Sequence, residues 1–386
     1  MDANLTNKDS VDALLRAMLE CQPGVSDLLF VVGRPPQVEA HGKLKGLPHP
    51  VLTSARIEEL ALYLINGNER LLADFTAAGS CDSSYSVEDL ARFRVNIFKQ
   101  NGHYAIVMRR LQSQIPTLDK LGLPAAFKDV IKERTGIIFV TGGTGSGKTT
   151  TLAGLLNELN QTEAIHVVTL EDPIEFLHPH LNSTFSQREL GKDFHDFASG
   201  LKAALRQAPK VILVGEIRDR ETMELAMTAS ETGHVVFSTL HSINAGQTIS
   251  RILGMFGKEE EKQVRQRLAD TVRYIISQRL VAKANGGRIL ATEFMGSNLR
   301  TREAIIYGEG ENRSFQDIIE SGSTFGWHTF DQSLLKAYQT GLITEDTAMT
   351  YCAHKNKMGR DIDMTNKLKN ADYSESSGLK MAGLAA

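Results

Sequence analysis

The chain has 386 residues, 41% hydrophobic and 23% charged, with a formal net charge of −3. That length exceeds one ordinary domain and implies two or three, and the composition is that of a soluble globular protein. The mild acidity excludes a global basic field for nucleic acid, and no apolar run approaches the roughly 20 residues needed to cross a bilayer.

Cys21, Cys81 and Cys352 are scattered and form no CxxC pair. They fit a reducing cytoplasm and supply no zinc site. Residues 1–12 are polar and acidic, so no secretory signal is expected. Work at a membrane would be that of a soluble subunit.

Residues 11–20 place Val11, Leu14, Leu15, Met18 and Leu19 at helical spacing. Residues 26–32 form a strand that ends at Gly33 and Pro35-Pro36, and 38–47 alternate weakly as a second strand. Thr53 caps a helix over 54–66. Residues 81–87, 91–100 and 103–111 read as three antiparallel strands, with Asn101-Gly102 as a hairpin turn. The result is an α+β domain over 1–112. In its strand 91–100, Arg92, Arg94 and Asn96 share one face, while Phe93, Val95 and Ile97 share the other. That polar face is either solvated or meets a phosphate. Residues 113–126, with Pro116, Gly122 and Pro124, read as an interdomain linker.

From 127 onward strands alternate with helices, which predicts a parallel sheet covered on both faces. The strands are 136–141, 166–170, 210–214 and 234–240. After the first comes Gly142-Gly143-Thr144-Gly145-Ser146-Gly147-Lys148-Thr149, followed by Thr150 and a helical run to 159. Strand, glycine-rich turn and helix in that order make a phosphate loop. Its N–H groups and helix N-terminus face one anion. Lys148 reaches the β- and γ-phosphates, and the Thr149 hydroxyl ligates Mg²⁺. The cofactors expected are therefore ATP and Mg²⁺.

Ligands of such sheets bind at the carboxyl ends of the strands. Strand 166–170 delivers Glu171, Asp172 and Glu175. Strand 210–214 delivers Glu216, placed to hold Mg²⁺ through water or to polarise an attacking water. His234 and His241 bracket the strand 234–240 and are candidates for a nucleotide site. A helix is expected over 193–206, with Arg206 either solvated or supplied to phosphates. Helical segments are expected over 258–276 and from 300 to about 353. A hairpin of 278–283 with 288–294 turns at Asn285-Gly286-Gly287. The ATPase domain with its C-terminal helices thus spans 127–363, and the unpatterned tail, 364–386, is expected to be disordered.

Four blocks carry a family resemblance: the phosphate loop, Thr169–Glu175, Val214–Asp219 and Gly233–His241. They resemble the Walker A, Asp box, Walker B and His box of the secretion ATPases. Within these, the chain resembles the type IV pilus retraction ATPases of twitching motility, the PilT/PilU group. The resemblance implies a RecA-like P-loop NTPase core, a smaller PAS-like N-terminal domain and a helical C-terminal region. It implies a homo-hexamer in the cytoplasm, peripheral at the inner-membrane pilus machine and acting on a platform protein, with no nucleic acid partner. It assigns Glu175 as general base, Glu216 as the Walker B acid acting through Mg²⁺, and His234 and His241 as γ-phosphate sensors. Arg92 and Arg94 resemble arginines that approach phosphates, and either Arg188 or Arg206 stands where an arginine finger would. The segment Asn298-Leu299-Arg300-Thr301-Arg302-Glu303-Ala304-Ile305-Ile306 departs from the Ala-Ile-Arg-Asn-Leu-Ile-Arg-Glu-like segment of retraction ATPases. Two functions therefore stand: a motor that retracts the pilus itself, and an accessory subunit of a paralogous retraction ATPase.

Overall fold

The computed structural model describes residues 7–112, 114–311 and 313–381. Residues 1–6, Ser113 of the expected linker and 382–386 of the expected tail lie outside the described residues. Contacts divide the chain into two units. One comprises Met1–Ile115, Glu171–His178 and Gln187–Asp196; the other comprises Pro116–Leu170, Pro179–Ser186 and Phe197–Ala386. The break at 115/116 falls inside the expected linker, but the acidic turn after strand 166–170 groups with the first unit.

The first unit runs α1 (Lys8–Glu20), β1 (Val25–Phe30), β2 (Gln37–Ala40), β3 (Lys43–Gly46), α2 (Ser54–Ile65), α3 (Glu69–Ala78), β4 (Ser80–Val87), β5 (Ala91–Gln100) and β6 (His103–Arg110). Its sheet has the order β3-β2-β1-β6-β5-β4. Asn7, Thr53 and Asn68 accept backbone N–H bonds as N-caps of the three helices, which satisfies donors that a helix start leaves open. The single strand expected over 38–47 is instead the hairpin β2–β3, because His41 and Gly42 both take positive φ and reverse the chain. On β5, Phe93, Val95 and Ile97 are fully buried. They join Leu15, Leu28, Phe30 and Ile57 in one core, so the period-two pattern carries through to packing.

The second unit begins with α4 (Phe127–Val130), β7 (Gly136–Thr141), α5 (Lys148–Thr162) and β8 (His166–Glu171). There follow β9 (Thr184–Glu189), whose last three residues group with the first unit, then α6 (Phe197–Ala204), β10 (Val211–Val214), α7 (Arg220–Glu231), β11 (Val235–Leu240) and α8 (Ala245–Leu253). Next come α9 (Glu261–Thr271), β12 (Val272–Ala282), β13 (Arg288–Gly296), α10 (Leu299–Tyr307), α11 (Phe315–Glu320), α12 (Phe330–Gln339), α13 (Glu345–Tyr351) and α14 (Lys355–Met381). The sheet order is β13-β12-β7-β11-β10-β8-β9. Strands β8, β10, β11, β7 and β12 run parallel, and β13 returns antiparallel on β12. Every residue of β7, β10 and β11 is buried, the signature of parallel strands covered on both faces. This is the α/β P-loop NTPase core expected.

Several expectations change. Residues 272–276 open β12 rather than ending a helix, since Val272, Ile275 and Ile276 are buried beside β7. The helix expected over 193–206 is the shorter α6, which leaves Arg206 in the turn beyond it. The tail expected to be disordered from 364 is helical to Met381. Met358, Ile362 and Thr365 of that helix are buried. Asn366 accepts the Tyr338 hydroxyl, so the start of that stretch packs on α12. Among the described residues no helix is long and apolar enough to cross a membrane.

Candidate nucleotide site

In the second unit the phosphate loop leaves the carboxyl end of β7, an interior strand of the sheet. Gly142 stands at φ 149°. A Cβ there would meet Ser146 Oγ at 2.5 Å and the Gln278 carbonyl at 2.6 Å, so only glycine lets the loop turn against β12. Gly147, at φ 89°, caps α5, and the space beside Gly143, Gly145 and Gly147 is open. That opening is a cradle that side chains would fill, and it fits a phosphate chain. Lys148 Nζ donates to the Gly142 and Gly143 carbonyls at 3.0 Å each, which holds its charge at the loop's mouth. The buried Ser146 Oγ makes no hydrogen bond among the described residues.

The sheet order explains what surrounds the loop. Strand β11 lies between β7 and β10, so the residue after β11 sits between Lys148 and Glu216. That residue is His241. Its Nε2 lies 3.4 Å from Glu216 Oε1, and Glu216 Oε2 pairs with Arg218 Nη2 at 2.7 Å. Burial, then the neighbouring Lys148, pushes the His241 pKa below its ordinary value, against the pull of Glu216. A neutral ring whose Nε2 faces a carboxylate carries its proton on Nε2. Thr239 Oγ1 donates to the Gly215 carbonyl at 2.7 Å and Gly215 N to the Leu170 carbonyl at 2.8 Å, which locks the three strand ends together. The Thr149 hydroxyl, in the first turn of α5, and the Glu216 carboxylate are hard oxygen donors of the kind Mg²⁺ takes. These residues fit that ion.

His234 is a correction. It sits before β11, where its main chain accepts from Gly136 N, and Leu240 pairs with Thr141 at the other end. The strand's six residues separate His234 from the loop by about 20 Å. Its Nδ1 lies 2.9 Å from the Ala229 carbonyl, a local structural contact. A "bracketing" pair on a strand necessarily occupies opposite ends of that strand, and the phosphate loop lies at only one of them. Arg206 is exposed in the turn after α6 and makes no ion pair among the described residues. Thr150 lies half-buried in the first turn of α5.

The first unit holds the remaining candidates. Arg92, half-buried, and Glu175 line one cavity of about 290 Å³ with Leu90, Leu111 and Leu177. Arg92 Nη2 lies 3.8 Å from Glu189 Oε2, and the buried Nη1 has no hydrogen-bond partner among the described residues. Burial pulls the Arg92 pKa down and Glu189 raises it. Arg94, two residues on, is exposed. Glu189 also accepts from Ser84 Oγ at 2.8 Å and from Ile174 N at 3.3 Å, so it ties β4 to the acidic turn. Gln187 does the same within the turn, donating to Glu171 at 3.1 Å and to the Phe176 carbonyl at 2.8 Å. Glu171 is thereby occupied, and Glu175 is the turn's acid that lines the cavity. Arg188 Nη2 donates to the Asp193 carbonyl at 2.7 Å and its guanidinium lies over the Phe194 ring. Sequence reasoning passed over Arg218, Glu189 and Gln187. Arg218 lies two residues from Glu216, a spacing that could have flagged it.

A glycine loop on a central parallel strand, with a carboxylate and a neutral imidazole at neighbouring strand ends, defines a P-loop nucleoside triphosphatase. The family model for type II/IV secretion system proteins matches residues 84–320. The type IV pilus retraction ATPase PilT of Pseudomonas aeruginosa is 39% identical over 325 residues, covering 84% of this chain and 93% of the relative. The type IV pilus ATPase PilU of the same organism is 34% identical over 366 residues, covering 95% and 94%. A solved structure of the pilus retraction motor PilT with bound ADP superposes with a TM-score of 0.80 at 38% identity, covering 91% of this chain and 99% of that one. The chain belongs to the type II/IV secretion ATPases and, within them, to the PilT/PilU group.

Proposed function

We propose that the chain is a Mg²⁺-dependent ATPase that assembles as a homo-hexamer and powers type IV pilus retraction at the inner-membrane pilus machine. The observation that carries the chemistry is the convergence of Lys148, Glu216 and His241 at one edge of the parallel sheet. The retraction role rests on the likeness to PilT over most of both chains.

Lys148 and the N–H groups of 142–149 would hold the β- and γ-phosphates, with Thr149 and Glu216 holding Mg²⁺. The chemistry that ion supplies when bound is neutralisation of charge on the phosphate oxygens. Glu175 takes a proton from water as the water oxygen bonds to the γ-phosphorus and the bond to the β–γ bridging oxygen breaks. Neutral His241 donates from Nε2 to Glu216 and keeps that carboxylate oriented. Arg92 and Arg94 approach the phosphates, and the platform protein receives the resulting movement. With Mg²⁺ present, Lys148→Ala abolishes nucleotide binding or turnover, whereas Glu216→Ala keeps binding and loses about 10²-fold or more in turnover. Normal hydrolysis by both variants would sink the assignment.

A second reading is an accessory subunit that supports a paralogous retraction motor. It rests on the segment 298–306, which supplies the N-cap and all but the last residue of α10 and leaves Leu299 79% exposed. The gene alone should then fail to restore retraction to a strain lacking both ATPases.

A further inference from the structure

Behind the phosphate loop lies a polar row that the chemistry above does not use. The register sets Thr141 of β7 beside Ser277 of β12, and Ser277 beside Glu293 of β13. All three side chains are buried. Thr141 Oγ1 donates to Ser277 Oγ at 3.1 Å, and Ser277 Oγ to Glu293 Oε1 at 3.5 Å. The same Oε1 accepts the Ala245 N–H, the first residue of α8, at 2.8 Å. A carboxylate in an apolar interior is costly unless hydrogen-bonded, and here its acceptor oxygen sits where a helix start favours negative charge.

The row reaches both sides of the site. Thr141 immediately precedes Gly142. Helix α8 follows His241 by four residues, and the intervening turn is tied to it. Arg251 Nη1 donates to the His241 carbonyl at 3.1 Å, the Ser242 and Thr248 hydroxyls lie 2.8 Å apart, and Asn244 Oδ1 accepts from Gln247 N at 2.8 Å. The turn therefore moves with the helix.

We propose that Glu293 is a positioning residue for the nucleotide site: its carboxylate holds the start of α8, and through it His241, in register with the strand end that carries the phosphate loop. The proposal rests on the ATPase reading above. Burial pushes the Glu293 carboxyl from its ordinary 4.5 up to about 7, against the pull of Ala245 N–H, Arg279 on β12 and Ser277. Asp331 on α12 pushes the same way as burial. The charge that strengthens the bond to α8 therefore comes and goes near neutral pH.

The test compares full-length wild type, Glu293→Gln and Ser277→Ala in steady-state ATP hydrolysis from pH 6 to 8.5. Gln keeps an acceptor and loses the charge. The wild-type to Gln ratio of kcat should rise from near one at pH 6 to about fivefold at pH 8, the order expected for a lost charge-assisted bond. Ser277→Ala removes a contact that favours the charged form, so its rise in kcat should move to higher pH. Chemical unfolding across pH gives a readout without ATP. A pKa raised in the fold favours the folded state at low pH. The stability of wild type relative to Gln should thus fall as pH rises from about 4.5 to about 7, then level off. Parallel kcat profiles with wild-type turnover intact would overturn the proposal alone, and a pH-independent stability difference would do the same. No wild-type turnover at any pH would overturn both this and the ATPase reading.

Discussion

Replacing Gly142 by alanine separates the two demands that the phosphate loop places on its glycines. At φ 149° an alanine is strained, which costs about 1–3 kcal/mol. Its Cβ would also stand 2.6 Å from the Gln278 carbonyl. That atom is backbone in β12, paired with β7 and β13, and cannot swing aside. Overpacking of this kind adds about 1–3 kcal/mol. The sum, about 2–6 kcal/mol, lowers Tm by roughly 5–20 °C for a unit of this size, or is relieved by displacing the loop, which removes nucleotide affinity. Gly143 is the control. It has no positive φ and a Cβ there meets nothing within 4 Å, so Gly143→Ala should leave Tm within about 2 °C of wild type. It should still weaken ADP binding, because that empty space is where the proposed site would seat phosphate. Differential scanning calorimetry and ADP titration calorimetry on the three proteins decide the matter. Wild-type Tm and affinity in Gly142→Ala would refute the close approach to β12. Unchanged ADP affinity in Gly143→Ala would refute the cradle.

Two further outcomes follow from the charges. His241 titrates below its ordinary range. Turnover that needs the neutral ring should therefore persist as pH falls through 6.5 and decline only in more acid solution; His241→Gln, which cannot titrate, should lose that acid limb along with part of kcat, as read from pH–rate profiles. Arg92→Ala removes a guanidinium from the cavity shared with Glu175 while Lys192 Nζ stays 2.8 Å from Glu189. Stability should drop by about 1–2 kcal/mol, far less than for an unpaired buried carboxylate, while kcat/KM for ATP falls by about tenfold or more; equal kcat/KM would remove Arg92 from the site.

Residues that touch a ligand are legible in a sequence because their chemistry recurs at fixed spacing along one element. Lys148 and Thr149 follow a glycine run, and Glu216 follows a buried strand by two residues. The β5 face was readable for the same reason, since alternation alone separates Arg92 from Phe93. The parallel sheet was readable from four apolar runs with helices between them. What failed had more than one cause. The span 38–47 breaks at a local positive-φ pair, His41 and Gly42, whereas the end of 258–276 was set by a neighbour in space, the pairing of β12 with β7. His234 was misplaced because proximity in sequence to His241 is distance across a sheet.

The supporting residues were invisible for a stricter reason. Ser277 and Glu293 are sixteen residues apart, and each lies in a segment with no motif. Their meaning appears only when β12 and β13 take a register that puts them opposite one another and beside Thr141. A one-residue slip in that register would turn Ser277 to the other face of β12, where Gln278 now donates to Thr151 on α5 at 2.8 Å. Successive residues of one strand thus serve both flanks of the loop: Gln278 holds the helix that begins at Lys148, and Ser277 reaches the carboxylate that holds α8. The geometry of Lys148 and His241 therefore depends on strand pairing that neither residue's own segment encodes.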